Sequence, residues 1–263
     1  MGIAEALAGR WRACGVEAGD MVLLHSNISR TLREARRTHG EVTPAQVLES
    51  FLQAVGAQGT LLLPLFNFDF CGGAPFDIRS TPSQMGALTE AARLHPDAVR
   101  TGHPVYSFAA IGARSGEFAG VNNRSAYAED SPFGMLRRAG GKIAVLDLDD
   151  QNSMTFYHHV EEVKGVAYRY FKDFTGPYTD ANGEASPQTY RLYVRDLERG
   201  VLTDVNGAGE LMWEKGLYRG QRPRVAAGLR TVRAAEMFDF VAGIIDSGRA
   251  RGLLYAVEGG GTP

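Results

Sequence analysis

The sequence predicts an α/β protein, with a three-layer α/β/α arrangement around a central mixed sheet and one β-hairpin excursion. The first observation is a strand–helix–strand unit, in which short apolar runs at residues 20–25 and 59–64 flank a helical pattern. Strands that alternate with helices are typical of α/β sheets. The second is an apolar run at residues 142–148 that precedes another helical pattern. The third is an antiparallel pattern across residues 166–195, around the turn sequence Asp-Ala-Asn-Gly.

The first unit has clear boundary signals. Residues 3–14 carry apolar side chains at helical spacing, and a glycine follows them. The segment 25–31 after the first strand is predicted to be a polar loop, placed where α/β proteins usually bind ligands. Thr43 and Gln46 have capping-box spacing with a proline at the first helical position. They predict a helix that ends at Gly56, before the second strand.

The remaining elements follow in chain order, and no internal repeat or linker divides them. A long loop rich in Phe, Gly, Pro and Asp runs from Asn67 to Pro82. The predicted elements are helices at about 84–94 and 153–163, a helix that follows residues 206–209 and runs to about 215, a helix at 234–246, and strands at 105–111, 142–148, within 166–195, and at 226–233. We therefore predict a single domain over residues 1–258 and a flexible Gly-rich tail at 259–263.

Composition excludes several classes of protein. The chain has 263 residues and a net charge of -2, which argues against a dedicated nucleic-acid binder. Its two cysteines have no metal-binding spacing and are expected to be free thiols in a reducing compartment. No signal peptide or membrane-spanning run is apparent, so a cytoplasmic protein without a membrane partner is expected.

The densest set of chemically active residues lies at 152–162. On a helix, Thr155, His158 and either Glu161 or Glu162 share one face. A carboxylate beside an imidazole raises its basicity and fixes its tautomer, as a general base requires. The alternative is a helix with a surface glutamate and a hydrogen-bonded core histidine. No metal site is predicted, because adjacent histidines point about 100° apart on a helix.

Two serines suggest a second kind of chemistry. His103 precedes a proline at a strand entry, and Ser107 lies on that strand. A hydrolase triad using Ser107 or Ser131 is conceivable, but the chain has no G-x-S-x-G nucleophile elbow. The alternative is that His103 caps a loop.

Hydroxyls and backbone donors occur in two loops, at residues 25–31 and 131–134. Such groups suit phosphates or the amides of pantetheine. Four nearby arginines add local positive charge, although they equally fit a solvated helix face. They are Arg30, Arg33, Arg36 and Arg37.

Taken together, these segments resemble the aminoglycoside 3-N-acetyltransferase family, which is unrelated to the GNAT enzymes. The resemblance covers roughly residues 20–250, and its most specific part is the run Asn-Ser-Met-Thr-x-x-His-x-x-Glu at 152–161. Three further matches occur in the same order. They are the His-Ser-Asn-Ile loop at 25–28, the Gly-Thr-Leu-Leu-Leu-Pro strand at 59–64, and the His-Pro-x-x-Ser block at 103–107.

The resemblance implies direct transfer of an acyl group, expected to be acetyl, from acyl-CoA to a primary amine. It makes His158 the general base and Glu161 its partner, with Thr155 in the same run. It implies CoA contacts at His25, Ser26, Asn27, Ser29, His103, Ser107 and Ser131. The acceptor is expected to contact the long loop and the strand after the catalytic helix, through Phe66, Asn67, Asp69, Tyr168 and Arg169.

The segment 164–172 departs from what a polycationic antibiotic would require. It is basic and aromatic, with Tyr168, Arg169, Tyr170 and Lys172, which suits an anionic acceptor. We therefore expect a nucleotide-linked or other biosynthetic amino sugar as acceptor, with aminoglycoside modification as the close alternative. A serine hydrolase and a non-catalytic CoA- or sugar-binding protein are the alternatives of other classes. Assembly of the chain as a homodimer is left open.

Overall fold

A computed structural model describes residues 2–258 of the chain. The predicted flexible tail at 259–263 lies outside the described residues. The helices are α1 Ile3–Ala13, α2 Ser29–His39, α3 Pro44–Val55, α4 Ala87–Arg93, α5 Pro132–Arg138, α6 Phe156–Lys164, α7 Asn206–Glu214 and α8 Ala234–Asp246. The strands are β1 Met21–Ser26, β2 Thr60–Pro64, β3 Phe76–Asp77, β4 Val99–Arg100, β5 Phe108–Gly112, β6 Lys142–Leu146, β7 Arg169–Thr179, β8 Ala185–Arg195, β9 Val201–Thr203, β10 Arg219–Gly220, β11 Leu229–Arg233 and β12 Tyr255–Val257.

A seven-stranded mixed sheet forms the centre, in the order β10-β11-β6-β1-β2-β5-β4. β1 is parallel to both β2 and β6, whereas the outer strands pair antiparallel. The carboxyl ends of β1, β2 and β6 therefore meet at one edge of the sheet. Ligands of α/β proteins usually bind at such an edge.

Alternate residues of the central strands enter two separate hydrophobic cores. Along β1, Val22 and Leu24 pack in the core that includes Leu7 and Trp11 of α1, while Leu23 packs in the other. That other core includes residues of α5, α6 and α8. Because a strand buried on both faces reads as a continuous apolar run, the sequence shows it clearly. The predicted three-layer α/β/α arrangement is confirmed.

The predicted hairpin excursion is present. β7 and β8 pair antiparallel from Arg169 opposite Arg195 to Thr179 opposite Ala185. Asp180 shapes the turn, since its Oδ1 accepts hydrogen bonds from the backbone N–H groups of Asn182 and Glu184. β3 adds to β7 and makes a three-stranded sheet outside the central one.

Several predicted elements are wrong in detail, including the long loop at 67–82, which contains β3. The segment 25–31 is not a loop throughout, because α2 begins at Ser29 and only two residues separate it from β1. The strand expected at 105–111 begins at Phe108. Its earlier residues turn instead, since His103 Nδ1 accepts hydrogen bonds from the backbone N–H groups of Val105 and Tyr106.

Within residues 2–258, no helix combines the length and the apolar character needed to cross a membrane.

Candidate active site

His158 lies in the first turn of α6, directly after the loop that leaves the carboxyl end of β6. Its Nδ1 lies 2.8 Å from Oε2 of Glu161, three residues later on the same helix. An ionised carboxylate only accepts hydrogen bonds, so Nδ1 carries the proton and the lone pair resides on Nε2. The Glu161 side chain is fully buried, whereas that of His158 is 20% exposed. The geometry is that of an oriented base with access to a ligand.

Arg169, the first residue of β7, shares the same carboxylate oxygen. Its Nε lies 2.7 Å from Glu161 Oε2 as an ion pair between two buried side chains. Its Nη1 donates to the carbonyl of Tyr193 and its Nη2 donates to Thr203 Oγ1. The guanidinium is thus engaged within the protein, but Arg169 also lines a cavity beside His158, so its contact with the acceptor stays a prediction.

Tyr168 lines neither of the two cavities that His158 lines. It is buried, and its ring stacks on that of Tyr255 with centroids 3.9 Å apart. Burial, and secondarily the Glu161 charge, raise the pKa of Tyr168. The ring is thus covered by Tyr255 of a neighbouring strand, and its contact with the acceptor stays a prediction.

Burial and charge keep His158 neutral. Burial lowers the pKa of His158, Arg169 lowers it further, and the hydrogen bond to Glu161 opposes both. A neutral imidazole near physiological pH has a lone pair ready to accept a proton. Arg169 therefore acts on the base as well as on its carboxylate.

The neighbouring pair, His159 and Glu162, is not an alternative base. His159 is fully buried, its Nδ1 lies 2.6 Å from the carbonyl of Tyr127, and burial lowers its pKa to about 4. Glu162 accepts a hydrogen bond from Ser125 Oγ instead. The helical register therefore places His158, paired with Glu161, at the cavities and gives His159 and Glu162 partners within the protein.

A cleft of about 430 Å³ lies at the carboxyl ends of the central strands. One wall is the β1–α2 junction, where the predicted His25, Ser26, Asn27 and Ser29 come together, and the facing wall is the segment 84–89. Asn27 Oδ1 accepts a hydrogen bond from the Ser29 backbone N–H, which fixes the turn into α2. The four residues predicted here to contact CoA thus line one groove.

Two further cavities connect this cleft to the base. A middle cavity of about 310 Å³ shares His25, Met85 and Asn152 with the cleft and reaches Thr155 and His158. A hairpin cavity of about 330 Å³ shares Tyr106, His158 and Thr203 with the middle one and is otherwise lined largely by β7 and β8. His158 therefore lies where two spaces meet, as a group acting between two substrates should.

The other predicted CoA ligands have partners inside the protein. His103, Ser107 and Ser131 are fully buried, and none lines the cleft. His103 accepts the two backbone hydrogen bonds described above, which supports the loop-cap interpretation. Ser107 Oγ accepts from the Arg100 guanidinium, and Ser131 Oγ caps α5 by accepting from the Gly134 N–H. Among the described residues, neither serine hydroxyl forms a hydrogen bond with a histidine, as a hydrolase would require.

The predicted acceptor loop is only partly at the site. Phe66 lines the middle cavity. Asn67 is buried and turns the chain, since its Oδ1 accepts from the Asp69 N–H and its Nδ2 donates to the carbonyl of Pro82. Asp69 is exposed and lines none of the three cavities described above.

The middle cavity is also lined by a buried carboxylate, Asp150, whose role the sequence does not reveal. Asp150 Oδ2 accepts hydrogen bonds from the hydroxyls of Tyr157 and Tyr218, and Oδ1 accepts from Arg230 Nη2 at 2.7 Å. This cluster fixes the loop from β6 to α6 that carries His158. Spacing could not reveal it, because Tyr218 and Arg230 lie 68 and 80 residues further along the chain.

No cluster of three or more His, Cys, Asp or Glu side chains suited to a metal ion occurs within residues 2–258.

Over slightly less than two thirds of its length, the chain is similar in sequence to aminoglycoside N(3)-acetyltransferases. It is 28% identical over 195 residues to aminoglycoside N(3)-acetyltransferase VIII of Streptomyces fradiae, a match that covers 64% of this chain and 63% of the relative. It is 27% identical to aminoglycoside N(3)-acetyltransferase VII of Streptomyces paromomycinus, covering 65% of this chain and 64% of the relative. The chain thus spans slightly less than two thirds of the length of these relatives.

Solved structures share the fold. The crystal structure of aminoglycoside acetyltransferase AAC(3)-Xa superposes with a TM-score of 0.77 at 25% identity, covering 93% of this chain and 92% of the other. AAC-IIIb, solved as a binary complex with CoASH, gives a TM-score of 0.76 at 22% identity, covering 93% and 96%. A family model described as aminoglycoside 3-N-acetyltransferase matches residues 23–246, which contain the His158–Glu161 pair and the cleft. The chain therefore belongs to the aminoglycoside 3-N-acetyltransferase family.

Proposed function

We propose that this chain transfers an acetyl group from acetyl-CoA to an amino group of an aminoglycoside, with His158 as general base. The observation that carries the proposal is the His158–Glu161 pair at the meeting point of the middle and hairpin cavities. The relatives are named for acetylation of aminoglycosides, which favours this acceptor over the nucleotide-linked amino sugar expected from the sequence. We propose that the catalytic and binding residues all belong to a single domain over residues 1–258.

Acetyl-CoA is proposed to lie in the cleft, with its thioester directed toward the middle cavity. The hydroxyls of Ser26 and Ser29 and the Asn27 side chain offer the polar contacts that pantetheine amides need. CoA use by this chain is supported by the fold shared with a structure that contains CoASH. We expect Ser26→Ala with Asn27→Ala to raise KM for acetyl-CoA while KM for the acceptor stays unchanged.

The chemistry follows from the protonation state of the base. The lone pair of His158 Nε2 takes a proton from the acceptor amine as its nitrogen attacks the thioester carbonyl. The Glu161 carboxylate stabilises the imidazolium that forms. The C–S bond then breaks, CoA leaves as a thiolate that takes up a proton, and the acceptor keeps the acetyl group as an amide.

A thiol-release assay tests the proposal. The chain is incubated with acetyl-CoA and sisomicin or another aminoglycoside, and free CoA is measured with a thiol reagent. His158→Ala is expected to lower kcat by roughly 10²–10⁴-fold, the usual contribution of a general base, with little change in CoA affinity. His39→Ala is the matched control, because His39 is exposed at the end of α2.

Turnover that survives in His158→Ala would refute the base assignment. Thiol release that occurs equally without an amine would indicate a hydrolase instead. CoA binding without turnover on any amine would favour a non-catalytic CoA-binding protein.

A further inference from the structure

The Glu161 carboxylate is held through one of its two oxygens. Oε2 lies 2.8 Å from His158 Nδ1 and 2.7 Å from Arg169 Nε. Oε1 is buried, and neither His158 nor Arg169 supplies it with a hydrogen bond. A buried carboxylate oxygen without a donor is costly, because burial removes the water that would otherwise solvate it. One more donor is therefore expected beside this carboxylate.

The hydroxyl of Tyr168 is the candidate donor. It is buried too, and neither it nor Glu161 Oε1 has any other hydrogen-bond partner within the described residues. After burial itself, the charge of Glu161 and a hydrogen bond to its carboxylate raise the pKa of Tyr168, so the phenol lies against that carboxylate. A phenol with a raised pKa keeps its proton and can donate it. Each of the two buried oxygens thus meets the need of the other.

The surroundings of Tyr168 hold its hydroxyl in this place. The residue directly precedes Arg169, which is already paired with Glu161. Its ring stacks on that of Tyr255 with an angle of 21° between the planes, and a ring that turned toward solvent would lose this contact. Since Tyr168 lines neither the middle nor the hairpin cavity, its hydroxyl faces the carboxylate and not a ligand.

We infer that Tyr168 is a positioning residue for the base, and that its hydroxyl donates a hydrogen bond to Glu161 Oε1. His158 and Arg169 then bind one oxygen while Tyr168 binds the other, so the plane of the carboxylate is fixed. The inference rests on the proposed function for the role of His158 as general base. Tyr168 touches neither substrate and acts through Glu161.

The same hydrogen bond adjusts the basicity of His158. A donor at Oε1 draws negative charge away from Oε2, which weakens the attraction of Oε2 for a protonated imidazole. Burial and the Arg169 charge lower the pKa of His158, and the Glu161 carboxylate opposes them. Because Tyr168 weakens that opposition, it keeps the imidazole neutral, and able to accept a proton, over a wider range of pH.

The variant Tyr168→Phe removes the hydroxyl and keeps the ring. NMR titration of ¹⁵N-labelled imidazoles in the unliganded protein gives the pKa of His158, whose signals are those that disappear in His158→Ala. We expect the pKa of His158 to be higher in Tyr168→Phe by about half a pH unit to one, since Glu161 then concentrates its charge on Oε2. In the thiol-release assay, the acid limb of kcat/KM should move to higher pH by the same amount.

The matched control is Tyr178→Phe. Tyr178 is another buried tyrosine of β7, its ring stacks on that of Phe76, and its hydroxyl is engaged with Tyr190. It lines neither of the cavities that contain His158. Each variant removes a buried hydroxyl and is expected to lose some stability, so the readout is the pKa of His158. That pKa should be unchanged in Tyr178→Phe.

The outcomes separate this inference from the proposed function. A pKa of His158 that stays level or falls in Tyr168→Phe would overturn the inference, and so would an equal rise in Tyr178→Phe. If the rise is confined to Tyr168→Phe, the hydrogen bond and its effect on His158 stand even when no acetyl group is transferred, and the transferase proposal alone fails. If acetylation is confirmed without that rise, the positioning inference alone fails.

Discussion

Replacing Arg169 with methionine tests how the Glu161 carboxylate is held beside the base. Arg169 and Glu161 have side chains that are 5% and 0% exposed, so the variant leaves a buried carboxylate without its cation. Removing one partner of a buried ion pair typically costs about 3–5 kcal/mol of unfolding free energy. For a chain of this size, that loss corresponds to a decrease in Tm of roughly 6–20 °C.

Two further variants separate the ion pair from general damage. Arg191→Met removes an arginine of the same hairpin whose partner Asp173 is partly exposed, and we expect it to cost far less than Arg169→Met, because exposed ion pairs contribute little to stability. Arg169→Met combined with Glu161→Leu removes both buried charges. We expect the loss of unfolding free energy in this double variant to be clearly smaller than the sum of the losses in the two single variants, because neither charge is then left unpaired.

The pH dependence of kcat/KM gives a second readout. Arg169 lowers the pKa of His158, so its removal should raise that pKa and move the acid limb of the profile to higher pH. Urea unfolding followed by circular dichroism gives the free energies. A loss below about 1 kcal/mol for Arg169→Met, together with an unmoved acid limb, would refute the ion-pair argument.

The remaining predictions concern buried histidines and a close packing contact. Burial holds the pKa of His25 and His103 at about 3, below the ordinary value of about 6.5, so the unfolded chain alone takes up these protons as pH falls. We expect stability to decrease by roughly 2 kcal/mol per histidine between pH 7 and pH 5, and equal urea midpoints at both pH values would contradict this. A Cβ at Gly209 would lie 2.5 Å from Asp150 Oδ2, so Gly209→Ala should destabilise by about 1–3 kcal/mol. Gly243→Ala, which meets open space on α8, should be neutral or stabilising, and similar losses in both variants would count against the packing argument.

Elements with a continuous apolar signal could be predicted from the sequence. β1, β2 and β6 are buried on both faces, and the β7–β8 hairpin has an Asn-Gly turn. The helix α2 gives a weak signal, because Thr31 and Ala35 are its only fully buried residues in the described structure. Its charged face is consistent with the solvated helix that the sequence analysis kept as an alternative.

The candidate site likewise has one part that the sequence predicts and another that it does not. His158 and Glu161 are three residues apart, so local helical geometry brings them together. The functions of Arg169 and Thr203 depend on how separate elements pack, which spacing does not encode. Membership of a matched sequence block also does not reveal what a side chain contacts. His103 lies in such a block and accepts hydrogen bonds that shape a turn, and Ser107 in the same block accepts a hydrogen bond from Arg100.

The hairpin has a consequence for how acceptor preference can change during evolution. Its two strands lie outside the central sheet, and the cavity-lining Tyr170 and Lys172 belong to neither hydrophobic core. Substitutions at Tyr170 or Lys172 can therefore accumulate with little loss of stability. The first residue of β7 is different, since Arg169 forms an ion pair with Glu161, the proposed partner of the base. A lineage is thus free to exchange its acceptor while the proton-transfer apparatus stays constant.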